Sequence, residues 1–188
     1  IKRQHVLTAR AMASMPEFRE LFPLEIPAPG RLLSMSNLSI LVCEFRSLIA
    51  ASRSLGDVES CLQFMDLASR VRDTIATYRG TVFRENDGTL WASFDSEEDA
   101  VQVAAALLDL DDATFGKPVL VLHRGPVVAT NRDQRLYYFG KTIHHCASGL
   151  DRVADEQLLA IDVPESTLEQ LYRTTDPTRV EACLSADF

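Results

Sequence analysis

The sequence predicts an α+β domain, in which helices pack on a mostly antiparallel central sheet. Three observations support this prediction. Short apolar runs have strand length, longer segments repeat apolar residues every three or four positions, and Gly-containing turns separate neighbouring runs. The 188 residues are 46% hydrophobic and 24% charged, which is typical of a globular protein. We assign 1–33 to an N-terminal helix and Pro-containing linker, 34–175 to the main domain and 176–188 to a C-terminal tail.

The N-terminal segment has its own pattern. Apolar residues at helical spacing predict a helix over 6–22, and Pro23, Pro27 and Pro29 end it. The chain opens Ile1-Lys2-Arg3-Gln4, without an initiator Met or an apolar leader, as expected of a piece of a longer protein. The longest uncharged apolar runs of the 188 residues are too short to cross a bilayer, so we expect no membrane contact within this sequence.

The first half of the main domain predicts a strand, a long helix and a hairpin. The run Leu38–Phe45 has the length of a buried strand and ends near a lone carboxylate, Glu44. The long helix starts at Asp57 and ends before Gly80, which suits the position after a helix end. Its predicted buried face consists of Val58, Cys61, Leu62, Met65, Ala68, Val71 and Ile75. Strands 81–84 and 89–94 follow, and the Glu85-Asn86-Asp87-Gly88 segment joins them in a tight turn.

The second half alternates helices with further strands. A helix over 96–110 begins with several acids, which favour the positive end of the helix dipole. Arg124-Gly125-Pro126 is a turn signal between two apolar runs. The remaining predicted elements are strands 118–123, 127–130, 136–139 and 157–161 and helices 142–153 and 165–172.

The charge balance argues against nucleic acid or an anionic membrane as the main partner. There are 27 acidic and 19 basic residues, giving a net charge of −8, whereas phosphate binding needs clustered Lys and Arg. Seven acids and no Lys or Arg lie between Asp95 and Asp112. Four bases in the second half could bind phosphate, face an acidic second subunit or be solvated: Arg124, Arg132, Arg135 and Lys141.

Cysteine and histidine do not form a recognisable metal motif. The four cysteines show no CxxC spacing, and three of them suit small buried side chains of a reducing compartment, which predicts a cytoplasmic location. His144, His145 and Cys146 are adjacent on a predicted helix, where neighbouring side chains point about 100° apart and cannot converge on one ion. We therefore predict surface and core positions for them. The sequence also has no GxSxG, GxxxxGK[ST] or GxGxxG motif.

Four stretches in order resemble the class III adenylate/guanylate cyclase homology domain. They are LSILVCEFRSLIAASRSLGD, YRGTVFRENDGTLWASF, LHRGPVVAT and YYFGKTIHHCASGLDRVA, and the resemblance covers about 38–171. It implies the ferredoxin-like nucleotide-cyclase fold. It also implies a head-to-tail dimer with sites at its interface, in which two Asp residues hold two metal ions that assist attack on a nucleoside triphosphate.

The resemblance places altered residues at the metal positions. Glu44 stands at the first metal position, and Ser47 replaces a glycine that approaches phosphate. Asp87 is one residue early for the second position, where an ungapped match anchored on Phe94 puts Gly88. Shifting the match restores Asp87 but reverses the strand faces. A Mg²⁺ or Mn²⁺ cofactor is therefore expected only if a metal site survives.

The positions that read the purine and stabilise the transition state are altered too. The resemblance puts Arg84 and Lys141 at the purine-reading positions, His144 at the catalytic Asn and Ser148 at the catalytic Arg. It thus predicts a catalytically degenerate domain that is a regulatory or dimerisation module in signalling, with a cyclase-type partner domain (a second copy or another chain) and a purine nucleotide as candidate ligand. Two alternatives remain: an active, divergent adenylate or guanylate cyclase, and an interaction scaffold without ligand.

Overall fold

A computed structural model describes residues 32–132 and 135–184. The predicted N-terminal helix lies outside the described residues. The elements in chain order are β1 Leu32–Glu44, α1 Leu48–Leu55, α2 Asp57–Thr77, β2 Thr81–Asn86, β3 Thr89–Phe94, α3 Glu97–Leu108, β4 Val119–Arg132, β5 Arg135–Phe139, α4 Lys141–Arg152, β6 Leu158–Ile161, α5 Glu165–Thr174, a 3₁₀ turn Pro177–Arg179 and β7 Val180–Cys183. None of the helices in the described ranges is long and apolar enough to cross a membrane.

The described strands form one mixed sheet of seven strands. Its order is β2-β3-β1-β4-β6-β7, and β5 pairs with β4. The pairs β2–β3, β3–β1, β1–β4 and β4–β5 are antiparallel, and the pairs β4–β6 and β6–β7 are parallel. The predicted α+β class and the mostly antiparallel sheet are confirmed. The sheet also reaches beyond the predicted main domain, because β1 begins at Leu32 and β7 lies in the segment assigned to the tail.

The two faces of the sheet carry separate cores. Alternation along β1 sends Leu41 and Cys43 to one face and Ile40 and Val42 to the other. The first core packs under α2, α3 and α5, and the second lies between the sheet and α4. Helix α4 therefore covers the face of the sheet that carries Ile40 and Val42.

Strand β4 runs without interruption through the segment predicted to turn, so that prediction is wrong. Gly125 pairs with Leu38 and Val127 with Met35, and the register between β1 and β4 shifts at this point. Pro126 therefore lies at a bulge, where a residue without a backbone N–H costs no ladder hydrogen bond. The hydroxyl of Thr142 donates to the Pro126 carbonyl oxygen at 2.8 Å, which ties the start of α4 to this bulge.

Helix α2 buries the predicted face in its second half, through Ala68, Val71 and Ile75, but not in its first half. Val58, Leu62 and Met65 are 76%, 58% and 60% exposed, although the apolar spacing assigned them to the core. The residues that pack inward in this region are Ser60, Leu67, Ala68, Val71 and Ile75. The first half of α2 thus carries two apolar faces, and only one of them contacts the domain's own core. The short helix α1, which the apolar pattern did not predict, packs against this half through the Ser52–Ser60 hydroxyl contact at 2.9 Å.

The loop before β4 supports the end of β1. The Asp112 carboxylate accepts backbone hydrogen bonds from Thr114 at 2.9 Å and Phe115 at 3.1 Å, and it pairs with Arg70 at 2.6 Å. Phe115 is buried, and its carbonyl oxygen accepts a hydrogen bond from the Ser47 hydroxyl at 2.5 Å. Asp112 therefore holds in place a loop that contacts the residues following β1.

We expect Asp112→Asn to lower the free energy of unfolding by about 1 kcal/mol at pH 7. Burial raises the pKa of Asp112, but the hydrogen bonds from Thr114, Arg70 and Phe115 outweigh it and lower the pKa below its ordinary 3.8. The charge-dependent stabilisation is therefore complete above pH 3.8 and is lost as the pH falls through the lower, folded-state pKa. Urea unfolding of both proteins between pH 7 and pH 3 measures this. A difference that grows towards low pH would contradict it.

Candidate functional site

Glu44 and the Asp87–Gly88 turn lie at the same end of the sheet. Glu44 pairs with Thr89, the first residue after the turn, and the Phe45 N–H donates to the Gly88 carbonyl oxygen at 2.9 Å. Asn86 pairs with Thr89, so Asp87 and Gly88 form the two-residue turn, with φ of 45° and 82°. A Cβ at Gly88 would lie 3.0 Å from the Phe45 carbonyl oxygen, whereas the Asp87 residue is exposed. The position that faces the end of β1 is therefore a glycine.

Arg46 occupies the space beside Glu44. Its Nε lies 3.1 Å from a Glu44 carboxylate oxygen, and one of its terminal nitrogens lies 2.6 Å from Asp155. The other terminal nitrogen donates to the carbonyl oxygens of Leu150 at 2.6 Å and Val153 at 3.2 Å. The positive guanidinium thus lies at the carboxyl end of α4, where a cation interacts favourably with the helix dipole. Burial alone lowers the pKa of Arg46, and the carboxylates of Asp155 and Glu44 raise it above its ordinary value.

The three substituted positions on α4 share one exposed face. Lys141, His144 and Ser148 are spaced three and four residues apart, and each is exposed. The buried side of the same helix includes Thr142 and Cys146. Lys141 opens the helix after Gly140, far from the carboxyl end that Arg46 contacts. The α4 face therefore starts away from the Glu44 end of the sheet, and its last position, Ser148, lies within one turn of Leu150, which binds Arg46.

Arg84 lies on β2 next to a bulge and stacks on a tryptophan. Its guanidinium carbon is 5.0 Å from the Trp91 ring centroid, a cation–π distance. Trp91 belongs to the core beneath α4, so Arg84 lies on the same face of the sheet. Arg84 itself is exposed, and its flat cationic group lies over the face of the Trp91 ring.

The acidic segment and part of the basic group neutralise each other within the chain. Arg124 forms an ion pair with Glu97, whose carboxylate also accepts a hydrogen bond from the Thr167 hydroxyl. Arg79 pairs with Asp99 at 2.8 Å, close to the start of α3. These contacts show that Arg124 and two of the clustered acids serve the fold, as the helix-dipole explanation of the acidic cluster anticipates.

A cluster that the sequence did not predict lies between β4, α4 and the end of β6. His123 Nε2 lies 3.3 Å from His145 Nδ1 and 4.0 Å from an Asp162 carboxylate oxygen. His123 Nδ1 lies 3.0 Å from the Ile161 carbonyl oxygen. The sequence correctly placed Cys146 in the core, and His144 is on the surface. No signal along the chain could connect His145 with His123, because the two meet only after β4 and α4 have packed.

Comparison with known proteins identifies the fold. No family model matches the sequence, and no curated protein does. The structure is similar to the non-canonical dimeric guanylyl cyclase domain of the RhoGC fusion protein from the aquatic fungus Blastocladiella emersonii, with a TM-score of 0.62 and 12% identity over 75% of this chain and 86% of that one. The adenylyl cyclase CyaB from P. aeruginosa gives a TM-score of 0.60 and 10% identity over 76% of this chain and 83% of that one. The guanylyl cyclase Cya2 gives a TM-score of 0.57 and 16% identity over 76% of this chain and 80% of that one.

The chain therefore has the fold of these nucleotide cyclase domains. At 10–16% identity this likeness concerns the fold and leaves the chemistry to the residues present. In this fold Glu44 and the Asp87–Gly88 turn come together, while Lys141, His144 and Ser148 lie on a separate helix face. Arg46, the group that neutralises Glu44, is the site residue that the sequence did not indicate.

Proposed function

We propose that this domain is a catalytically degenerate nucleotide cyclase-like domain, which acts in signalling as a regulatory and dimerisation module, with or without a bound purine nucleotide. The Glu44–Arg46 ion pair carries the proposal. A hard divalent cation is attracted by carboxylate charge that no protein cation already neutralises. Here the carboxylate at the first metal position is bound by a guanidinium that is itself held by the carbonyl oxygens of Leu150 and Val153.

The donor set does not fit a two-metal site. Glu44 already has a cationic partner at 3.1 Å, and a metal ion there would be repelled by the Arg46 charge. The turn position closest to the end of β1 is Gly88, which offers no carboxylate. Asp87 is the acid nearest in sequence to that position, and it is exposed in the turn. We derive no metal-dependent step from these residues.

The α4 face supports the same conclusion. Catalysis of phosphoryl chemistry relies on positioned cationic groups that neutralise developing charge. Ser148, at the position that the resemblance assigns to an arginine, has a short neutral side chain and is exposed. On this face the imidazole ring of His144 lies one helical turn before Ser148. A nucleotide bound on this face would meet Lys141 as a positive group. A single lysine suits binding of the phosphates more than catalysis of their chemistry.

An exposed apolar surface supports a role in association. On α1 and α2 the exposed apolar residues are Ile49, Leu55, Val58, Leu62 and Met65. Val58, Leu62 and Met65 repeat at helical spacing along one stripe of α2. Contiguous apolar surface of this kind marks interaction sites more often than chance exposure. We assign this surface, the α1–α2 patch, to contact with a second domain.

The competing function is an active, divergent cyclase, and the position of Glu44 and Asp87 at one end of the sheet favours it. The test is cyclic nucleotide formation from ATP and from GTP, with Mn²⁺ and at high protein concentration. Manganese tolerates irregular oxygen ligation better than magnesium. We expect the wild type to form no more product than Glu44→Ala. Product that disappears in Glu44→Ala would overturn the proposal.

Two further measurements separate the non-catalytic roles. A melting temperature that rises with ATP or GTP, without turnover, supports a nucleotide-binding module, because a ligand stabilises the state that binds it. Concentration-dependent association in sedimentation velocity, without a nucleotide effect, supports a scaffold. A protein that is monomeric at all concentrations, alone and with a nucleotide, would contradict the dimerisation role.

A further inference from the structure

The His123–His145–Asp162 cluster brings together three elements that are far apart in sequence. His123 lies in the middle of β4, His145 faces it from α4, and Asp162 directly follows β6. Their candidate ligand atoms all lie within 4.8 Å of one another. The His123 side chain is 3% exposed and that of Asp162 is 32% exposed, so the cluster is buried on the β4 side and open towards solvent on the Asp162 side.

The surroundings of His123 fix which ring nitrogen is available as a ligand. A carbonyl oxygen can only accept a hydrogen bond, so the 3.0 Å contact with Ile161 places the proton on Nδ1. Nε2 then carries a lone pair directed towards His145. The neutral imidazole ring is the form that binds metals. A histidine whose second nitrogen donates to a backbone carbonyl is a common arrangement at metal centres.

The spacing of the nitrogens fits a tetrahedral ion. Nitrogen ligands bind zinc at roughly 2.0–2.1 Å, which separates two of them by about 3.3–3.4 Å. The observed distance between His123 Nε2 and His145 Nδ1 is 3.3 Å, slightly longer than the usual range for a hydrogen bond from an N–H group. The Asp162 oxygen, 4.0 Å from His123 Nε2, supplies a third and anionic ligand after a small side-chain adjustment.

We propose that His123, His145 and Asp162 bind one zinc ion, with solvent in the fourth position. The ion would connect β4, α4 and the end of β6, and it would thereby fix α4, which carries Lys141, His144 and Ser148, to the sheet. His123 is four residues along β4 from Val119, the partner of Glu44, which places this site roughly 13 Å from the Glu44 end of the sheet. It is independent of the proposed function.

The test uses the whole chain after removal of metals with a chelator. Zinc chloride is titrated by calorimetry, and cobalt(II) reports tetrahedral geometry by its visible absorption. We expect one equivalent to bind, with a melting temperature higher by roughly 5–10 °C at 100 times the dissociation constant. His145→Ala and Asp162→Asn are the diagnostic variants, since His123 is buried and its replacement endangers folding. Each should weaken zinc binding at least tenfold.

The controls are the other two of the four histidines, His5 and His144. His144→Ala adjoins the site in sequence but is exposed, so it should bind zinc like the wild type, as should His5→Ala. Zinc affinity unchanged in both diagnostic variants, equal loss in His144→Ala, or no binding by the wild type would each overturn the zinc site. These readouts do not involve a nucleotide, so they distinguish failure of this site from failure of the proposed function.

Discussion

Gly80→Ala should lower the free energy of unfolding by about 3 kcal/mol and the melting temperature by roughly 6–12 °C. A Cβ at Gly80 would lie 2.6 Å from Cζ of Phe94 and 2.7 Å from Cγ2 of Ile75. Both neighbours are buried, with exposures of 1% and 2%, so neither ring nor methyl can move aside freely. The added methyl group must therefore displace the junction between α2 and β2. Urea and thermal unfolding of the purified variant measure the loss.

A matched control separates this clash from the general effect of replacing glycine. Gly56 has a φ of 86° and a ψ of 157°, a backbone conformation that almost only glycine adopts, and no atom lies within 4 Å of a Cβ there. Gly56→Ala should therefore cost only backbone strain, about 2 kcal/mol, and this cost should not depend on Phe94. In a Phe94→Leu background the cost of Gly80→Ala should fall clearly, because the smaller side chain removes the nearest contact. A cost of Gly80→Ala that does not change in the Phe94→Leu background, or one that changes no more than the cost of Gly56→Ala does, would contradict the packing explanation.

The end of α2 shows how local signals give the right boundary for a different physical reason. The sequence assigned Gly80 to the left-handed position after the helix, but Arg79 adopts it, with a φ of 58°. Gly80 donates to the Ile75 carbonyl oxygen at 2.9 Å, one residue further along the same capping motif. The glycine is needed because Phe94 packs on it. That requirement comes from a neighbouring strand, so no local pattern contains it.

Elements determined by neighbouring residues were predictable, and those determined by packing were not. The hairpin of β2 and β3 was predicted because an Asp-Gly pair favours its two-residue turn. The exposed stripe of α2 was misassigned because the helix carries two apolar faces, and the sequence does not indicate which one meets the sheet. The strand through Gly125 and Pro126 was misassigned because the bulge that accommodates proline depends on pairing with β1.

The residues of the candidate site also divide into those that the local sequence could place and those that only the folded structure could place. Glu44 was placed correctly at the end of a strand, since the apolar run that defines β1 is local. The sequence did not indicate its partner, which is Arg46. Arg46 is held there by Leu150, Val153 and Asp155, more than one hundred residues further along the chain. Such a pairing requires the folded topology and has no signature in the surrounding sequence.

Replacement of Arg46 should affect both stability and the response to metal. Arg46→Gln removes the contacts that join the end of β1 to the carboxyl end of α4, and we expect a loss of about 2 kcal/mol in urea unfolding. The exposed Asp155 pair contributes little to this value. Arg46→Lys keeps the charge but cannot span Glu44 and two carbonyl oxygens, so it should recover less than half of the loss.

The same substitution tests the proposal that Arg46 keeps a metal ion away from Glu44. If Arg46 neutralises Glu44, Mn²⁺ should raise the melting temperature of Arg46→Gln more than that of the wild type. Arg46→Gln/Glu44→Gln should lose this gain, because it lacks the carboxylate, and it serves as the matched control. An equal Mn²⁺ effect in all three proteins would mean that the ion pair does not exclude the metal. Stability unchanged in Arg46→Gln would mean that Arg46 does not hold α4 to β1.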